Sequence, residues 1–181
     1  MTVLSILHTI DPNENGEGEP LGLSVSNGGV PKRAVDTVRL TALGLDGDAH
    51  RDLEHHGGPE RAVCLFAQEA IRELQVEGHP VAPGALGENV TIEGLDWSAV
   101  QPGARLRLGD EVLLEITRYA TPCFNIRPAF RDGDYSRVSQ KRHPGGSRVY
   151  ARVVTTGTLR CGDPVRLLSD EATPAPGRPV R

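Results

Sequence analysis

Apolar residues recur along the chain in short runs separated by glycine- and proline-rich turns, a pattern that predicts many short strands and few helices. Residues 3–10 alternate loosely and predict a first strand. The acidic DPNENGEGEP at 11–20 predicts a solvated loop, and residues 21–26 predict a second strand that closes a hairpin with the first. Residues 35–43 predict a strand in which Val35, Val38, Leu40 and Ala42 are partly in register, and residues 62–66 predict a short buried strand. Immediately after it, Ala67, Ala70, Ile71 and Leu74 fall at helical spacing, with Gln68, Glu69, Arg72 and Glu73 toward water. Gly78 and Pro80 stop this one well-defined helix. Further strands are predicted over 89–92, 112–117 and 148–155. PGARLRLGDEVLLE at 102–115 and TGTLRCGDPVRLL at 156–168 echo each other, each setting a Gly-Asp turn between two strand-like runs. Two such hairpins suit a barrel-like sheet. Residues 130–146 are polar and irregular, and 169–181 have no periodicity.

The predicted fold is therefore mainly β, barrel-like, with a few short helices: one domain over 1–168 and a disordered tail over 169–181. Composition supports this. Of 181 residues, 21 are Gly and 14 Pro, more than a helical bundle accommodates. The net charge of −4 leaves no basic footprint for nucleic acid or a membrane surface. Cys64, Cys123 and Cys161 are odd in number and far apart, which argues against a disulfide framework and for a reducing cytoplasm. The opening MTVLSILHTI predicts neither a signal peptide nor a membrane span.

Candidate chemistry concentrates in RYATPCFNIR, 118–127. The β-branched run at 112–117 ends at Pro122, so the thiol of Cys123 sits at a strand exit, between Arg118 and Arg127, whose charges would favour the thiolate if their heads come close. The plain alternative is a buried, inert cysteine. Upstream, Gly28 and Gly29 precede Lys32 and Arg33, a glycine pair and a basic pair able to cradle an anion or to form an ordinary surface turn. The stretch GLDGDAHRDLEHHGGPERAV, 44–63, gathers Asp46, Asp48, His50, Asp52, Glu54, His55 and His56 before Gly57 and Gly58. These side chains could ligate a metal or orient a substrate, although the spacing is not HExxH and no CxxC is present. Glu88 and Asn89 stand where a loop becomes a strand.

Taken in order, GVPKR at 29–33, GDAHRDLEHHGGPERAVCLF at 47–66, PGALGENVTIEGL at 83–95, TPC at 121–123 and SRVYARVVTTGTLRCGDPVRLL at 147–168 closely resemble the MOSC domain, named for the C-terminal domain of molybdenum cofactor sulfurase. The likeness covers most of the chain and is that of a standalone bacterial member. It implies a MOSC-type β-barrel-like fold and a pocket where Cys123 meets a pterin cofactor or a sulfur donor. In relatives that reduce N-hydroxylated compounds the matching cysteine ligates molybdenum, so the resemblance assigns Cys123 as catalytic residue and metal ligand. It further implies Lys32, the lysine of GVPK, on the pterin phosphate, with Arg33, His50, His55, His56, Gly57, Gly58, Asn89, Thr121, Arg118 and Arg127 as the surrounding cofactor-binding set. The extra N-terminal barrel and the ferredoxin segment of some relatives are not evident, so electrons would come from a separate protein.

Two readings follow. In one, the chain binds molybdenum cofactor (molybdopterin) and reduces a small N-hydroxylated substrate. In the other, Cys123 takes sulfane sulfur as a persulfide from a cysteine desulfurase for cofactor assembly; pyridoxal phosphate then belongs to the partner, because neither Lys32 nor Lys141 lies in a Schiff-base context. A metal-dependent hydrolase on Asp48, His50, His55 and His56, and a binding module without chemistry, are the remaining classes. Cys64 and Cys161 are expected to be structural. Residues 46–58 are expected to line the same pocket as Cys123, and the loss of Lys32's charge to leave stability nearly unchanged.

Overall fold

The computed structural model describes residues 17–49 and 57–168. The strand predicted at 3–10 and the tail at 169–181 lie outside them, as do His50, His55 and His56.

Over the described residues the backbone forms eleven strands, β1 Glu17–Val25, β2 Arg33–Val35, β3 Thr37–Thr41, β4 Gly44–Leu45, β5 Val63–Ala67, β6 Val90–Glu93, β7 Arg105–Leu108, β8 Val112–Tyr119, β9 Val149–Thr155, β10 Gly157–Arg160 and β11 Val165–Leu168, and one α-helix, α1 Gln68–Val76. Seven of them close a ring in the order β11-β7-β8-β9-β5-β6-β1, with β1 returning to β11 through Glu17↔Arg166 and Gly18↔Val165. Closure removes free edges, which explains why such short strands suffice. The pair β5–β6 is parallel and the other ring pairings are antiparallel. β2 extends the sheet from β1, and β10, β3 and β4 form a small separate sheet.

The barrel interior is filled by residues such as Leu23, Leu65, Val90, Leu106, Leu114, Ile116, Val149 and Ala151, all at most 1% exposed. A second cluster outside the barrel, Phe66, Ile71, Leu74, Val81, Leu86, Ile126, Phe130 and Val138, packs α1 against the 3-10 turns Phe124–Ala129 and Tyr135–Val138. β5 lies between the two clusters and is buried at all five positions. Val63 and Leu65 face the barrel, and Phe66 faces the outer cluster. A strand covered on both faces reads as a continuous apolar run, which is why alternation is missing there.

Four sequence expectations change. The loop predicted to run to residue 20 ends earlier, because β1 begins at Glu17. The single strand expected over 35–43 is two: β2 pairs with β1, and β3, beyond Asp36, pairs with β10 and β4. The predicted helix starts one residue later, Ala67 closing β5 instead. The echo of two hairpins holds only for the first, where β7 and β8 pair across Gly109 and Asp110. β10 and β11 do not pair: β10 buries Leu159 beside β3, while β11 joins β7 and β1 in the ring. There the Gly-Asp turn carries the chain between sheets, with Asp163 Oδ2 accepting from the Arg160 amide at 2.7 Å. The irregular stretch 130–146 contains the 3-10 turn Tyr135–Val138, N-capped by Asp134, whose carboxylate accepts from the Ser136 amide at 3.0 Å.

Candidate functional site

The open end of the outer cluster is organised by one carboxylate and one amide. After β1 the chain turns through Gly28 and Gly29, both at positive φ, and comes back to Lys32. Lys32 Nζ meets Asp48 Oδ2 at 2.5 Å, with the two side chains only 7% and 1% exposed. Asn89 Nδ2 donates to the same oxygen at 2.8 Å, and the Ser26 amide donates to Oδ1 at 2.7 Å. Asn89 also accepts from the Cys64 amide at 3.0 Å and donates to Ser24 O at 3.2 Å, fastening β1, β5 and the Asp48 loop together. Lys32 is thus held inside the protein, and its charge is compensated before any ligand arrives.

Beside this group, the buried Glu88 accepts from the amides of Gly84 at 2.6 Å and Leu86 at 3.1 Å, ordering the turn 84–88. Burial pushes its carboxyl upward, against those amides and the nearby Arg148. Gly84 is required here: at φ 83° a side chain would be strained, and a Cβ would lie 2.9 Å from Lys32 O. Arg148 Nη1 donates to Leu86 O, and the side chain is buried.

A cavity of about 400 Å³ opens over these residues. β8 ends at Tyr119, the Ala120 amide continues the pairing to Arg148 O at 2.8 Å, and Pro122 releases the chain. Cys123 follows in extended conformation at the start of the turn Phe124–Ala129, anchored through the Ile126 amide to Cys123 O at 3.2 Å and by burial of Ile126. The half-buried thiol faces the cavity. Of the sequence candidates, Lys32, Gly57, Asn89, Thr121 and Cys123 line it together, along with Ala49 from the histidine loop. Arg33 is exposed on β2, Gly58 stands at the mouth of the turn Pro59–Arg61, Arg118 is exposed on β8, and Arg127 stacks over the exposed ring of Phe124 at 5.6 Å; none of these lines the cavity.

The cavity includes residues that sequence reasoning passed over: Cys64, Arg61, Asn125, Arg148 and Tyr150. Cys64 lines the cavity while buried, and burial pushes its thiol up to about 11 and keeps it protonated. Tyr150 is likewise pushed up to about 12, first by burial and then by the neighbouring Cys64 and Cys123, so its hydroxyl keeps its proton. A usable signal was present in SRVYARVV: Val149 and Ala151 point into the barrel, so Arg148 and Tyr150 must share the opposite face. Cys161 is exposed and does not line the cavity, its Sγ donating to Val35 O at 3.6 Å. Among the described residues no cluster of three or more His, Cys, Asp or Glu could hold a metal ion, and Asp48 is already engaged by Lys32, Asn89 and Ser26. No helix of the described residues is long and apolar enough to cross a membrane.

A small closed barrel carrying a polar, thiol-lined cavity against its outer side defines the class of protein. The chain belongs to the MOSC domain family, whose profile matches residues 52–166, more than half of its length. It is 30% identical over 149 residues to the uncharacterized protein YflK of Bacillus subtilis (strain 168) and 30% identical over 158 residues to protein YiiM of Escherichia coli (strain K12), covering 82% and 84% of this chain. The matches span 66% of each relative, just under two thirds of their length. A protein of Gibberella moniliformis (strain M3125 / FGSC 7600) named Reductase is 32% identical over 72% of this chain, which corresponds to 24% of that longer protein. The crystal structure of YiiM from Escherichia coli superposes with a TM-score of 0.62 at 27% identity, over 84% of this chain and 70% of that one.

Proposed function

We propose that this MOSC protein binds the molybdenum cofactor in the cavity, with Cys123 as thiolate ligand to the metal, and reduces small N-hydroxylated compounds with electrons from a separate protein. The observation that carries this reading is the convergence, in one cavity, of the half-buried Cys123 thiol with buried basic side chains and positive-φ glycines. The donor set fits such a ligand: a soft sulfur suits molybdenum, and a cavity of about 400 Å³ lies within the size range of cofactor pockets. When bound, the cofactor would supply two-electron redox chemistry at the metal.

The chain's own residues do the rest. Cys123, fixed by the Ile126 amide and the turn behind it, presents its sulfur without reorganising the backbone. Lys32, Asp48 and Asn89 hold the loop walls in register across β1 and β5. Tyr150 keeps a hydroxyl proton along the same wall, where reduction of an N–OH group to N–H and water consumes two protons and two electrons. The relative named Reductase, in which the matched segment is a minority of the chain, supports the oxidoreductase assignment and a redox partner. Free thiols suit a reducing, cytoplasmic setting.

The test is to express the chain in cells that make the cofactor and to measure molybdenum and pterin in the purified protein and in Cys123→Ser. Stoichiometric molybdenum and pterin lost in the variant, with reduction of an N-hydroxylated substrate by an added electron donor, is expected. A Cys123 persulfide formed with a cysteine desulfurase, and no molybdenum, would select the sulfur-carrier reading instead.

A further inference from the structure

Arg148 is 4% exposed, yet among the described residues no carboxylate lies within 4.0 Å of its guanidinium. Its one hydrogen bond to those residues runs from Nη1 to Leu86 O, and buried Nε has no partner. Buried charges are ordinarily paired, and an arginine has five donors to satisfy, so this group is incomplete as it stands. It lines the cavity, where the described side chains include three cations, Lys32, Arg61 and Arg148, and no carboxylate. Lys32 is occupied by Asp48. Gly87 lies beside the guanidinium at a positive φ of 85°, where a Cβ would stand 3.8 Å from Nη1 and crowd Val30 Cγ1 at 2.9 Å.

We propose that Arg148 is the oxyanion receptor of the cavity, taking a phosphate monoester or a carboxylate of the bound ligand, and that Lys32 positions the wall rather than the ligand. A planar guanidinium with free donors suits such an anion, and the anion supplies a counter-charge in direct contact, where the described residues offer only the nearby Glu88 beyond 4.0 Å. The inference rests on the cavity being the binding site proposed above, but not on which metal or reaction it serves.

Inorganic phosphate is titrated into protein made in cells that cannot produce the molybdenum cofactor, and melting temperature and fluorescence are followed. The single tryptophan, Trp97, reports locally, since its indole Nε1 donates to Ser147 O at 3.0 Å, next to Arg148. Phosphate, or acetate as the carboxylate probe, should raise the melting temperature saturably in the wild type, and Arg148→Met should bind it at least about tenfold more weakly while melting no lower than the wild type without anion. An unchanged phosphate response in Arg148→Met, a melting point lowered with that response intact, or no response of the wild type to either anion would each overturn the proposal. Should Arg148→Met not fold, Arg148→Lys carries the test: it loses the fork, and an unchanged phosphate affinity there also overturns it. If cofactor-loaded protein no longer takes phosphate, the cofactor's phosphate fills the site; if it still does, the anion belongs to the substrate. Loss of molybdenum binding in Cys123→Ser with phosphate binding intact separates this site from the metal assignment.

Discussion

Lys32 and Asp48 form an ion pair of 2.5 Å inside the protein, and Asn89 and the Ser26 amide donate to the same carboxylate. The expectation that loss of Lys32's charge leaves stability nearly unchanged does not fit this burial. Lys32→Ala would remove one charged partner from the buried Asp48 carboxylate, at a cost of about 3–5 kcal/mol. Replacing both partners by Met and Leu should recover most of that loss, because the pair's own desolvation is then relieved. Urea denaturation of the two variants decides the point, and a loss below about 0.5 kcal/mol in the single variant would contradict the pairing.

The three thiols differ by exposure. Cys161 is exposed, Cys123 is half-buried on the cavity, and Cys64 is buried. Alkylation with iodoacetamide near neutral pH should label Cys161 and Cys123 in the folded protein and Cys64 only after unfolding. Cys123→Ser should change stability by less than about 0.5 kcal/mol, whereas Cys64→Ser introduces a buried hydroxyl and should cost about 1–3 kcal/mol. Peptide mass spectrometry of the labelled protein, with Cys64 modified as fast as Cys123, would refute the burial argument.

What the sequence made legible were the features decided within a few residues. The 3.6-residue spacing of Ala70, Ile71 and Leu74 marked α1, the Gly-Asp turn marked β7–β8, and Pro122 marked the strand exit that presents Cys123. Partnerships across long separations were not legible. Asp48 chooses Lys32 sixteen residues away, Arg148 reaches Leu86 across 62 residues, and β10 pairs with β3 rather than with its neighbour β11. Cys64 was hidden for a different reason. In an all-apolar strand covered on both faces, nothing in the pattern says which residues face a second cluster or a cavity.

Alkaline pH should destabilise the fold through Cys64 and Tyr150. Both folded-state values are raised, to about 11 and about 12, so each group keeps its proton when folded and ionises earlier when unfolded. Stability from these groups is complete below the unfolded values and is lost as pH climbs through about 9 to 12. The rise of the Cys64 thiol from 9.0 to about 11 corresponds to at most about 3 kcal/mol. Chemical denaturation at successive pH values should show this decline, and it should be shallower in Cys64→Ala combined with Tyr150→Phe. An identical slope in that double variant would assign the loss to other groups.

Asn89 offers the sharpest test of the polar frame. It is 2% exposed, and its amide joins Ser24 O, Asp48 Oδ2 and the Cys64 amide. Asn89→Asp preserves shape but replaces the donating Nδ2 by an oxygen, so a second carboxylate faces Asp48 Oδ2 at what is now a 2.8 Å contact. Ionised, that pair is repulsive and Ser24 O loses its donor, so the variant should lose at least about 2–4 kcal/mol at neutral pH. Like charges in one site raise the folded value of the introduced group above its unfolded one, so its contribution improves as pH falls and worsens as pH rises. The deficit relative to wild type should accordingly shrink between about pH 7 and 5, where a proton on the introduced carboxylate restores a donor. A deficit independent of pH would mean that geometry alone, and not the electrostatics around Asp48, makes an amide necessary at position 89.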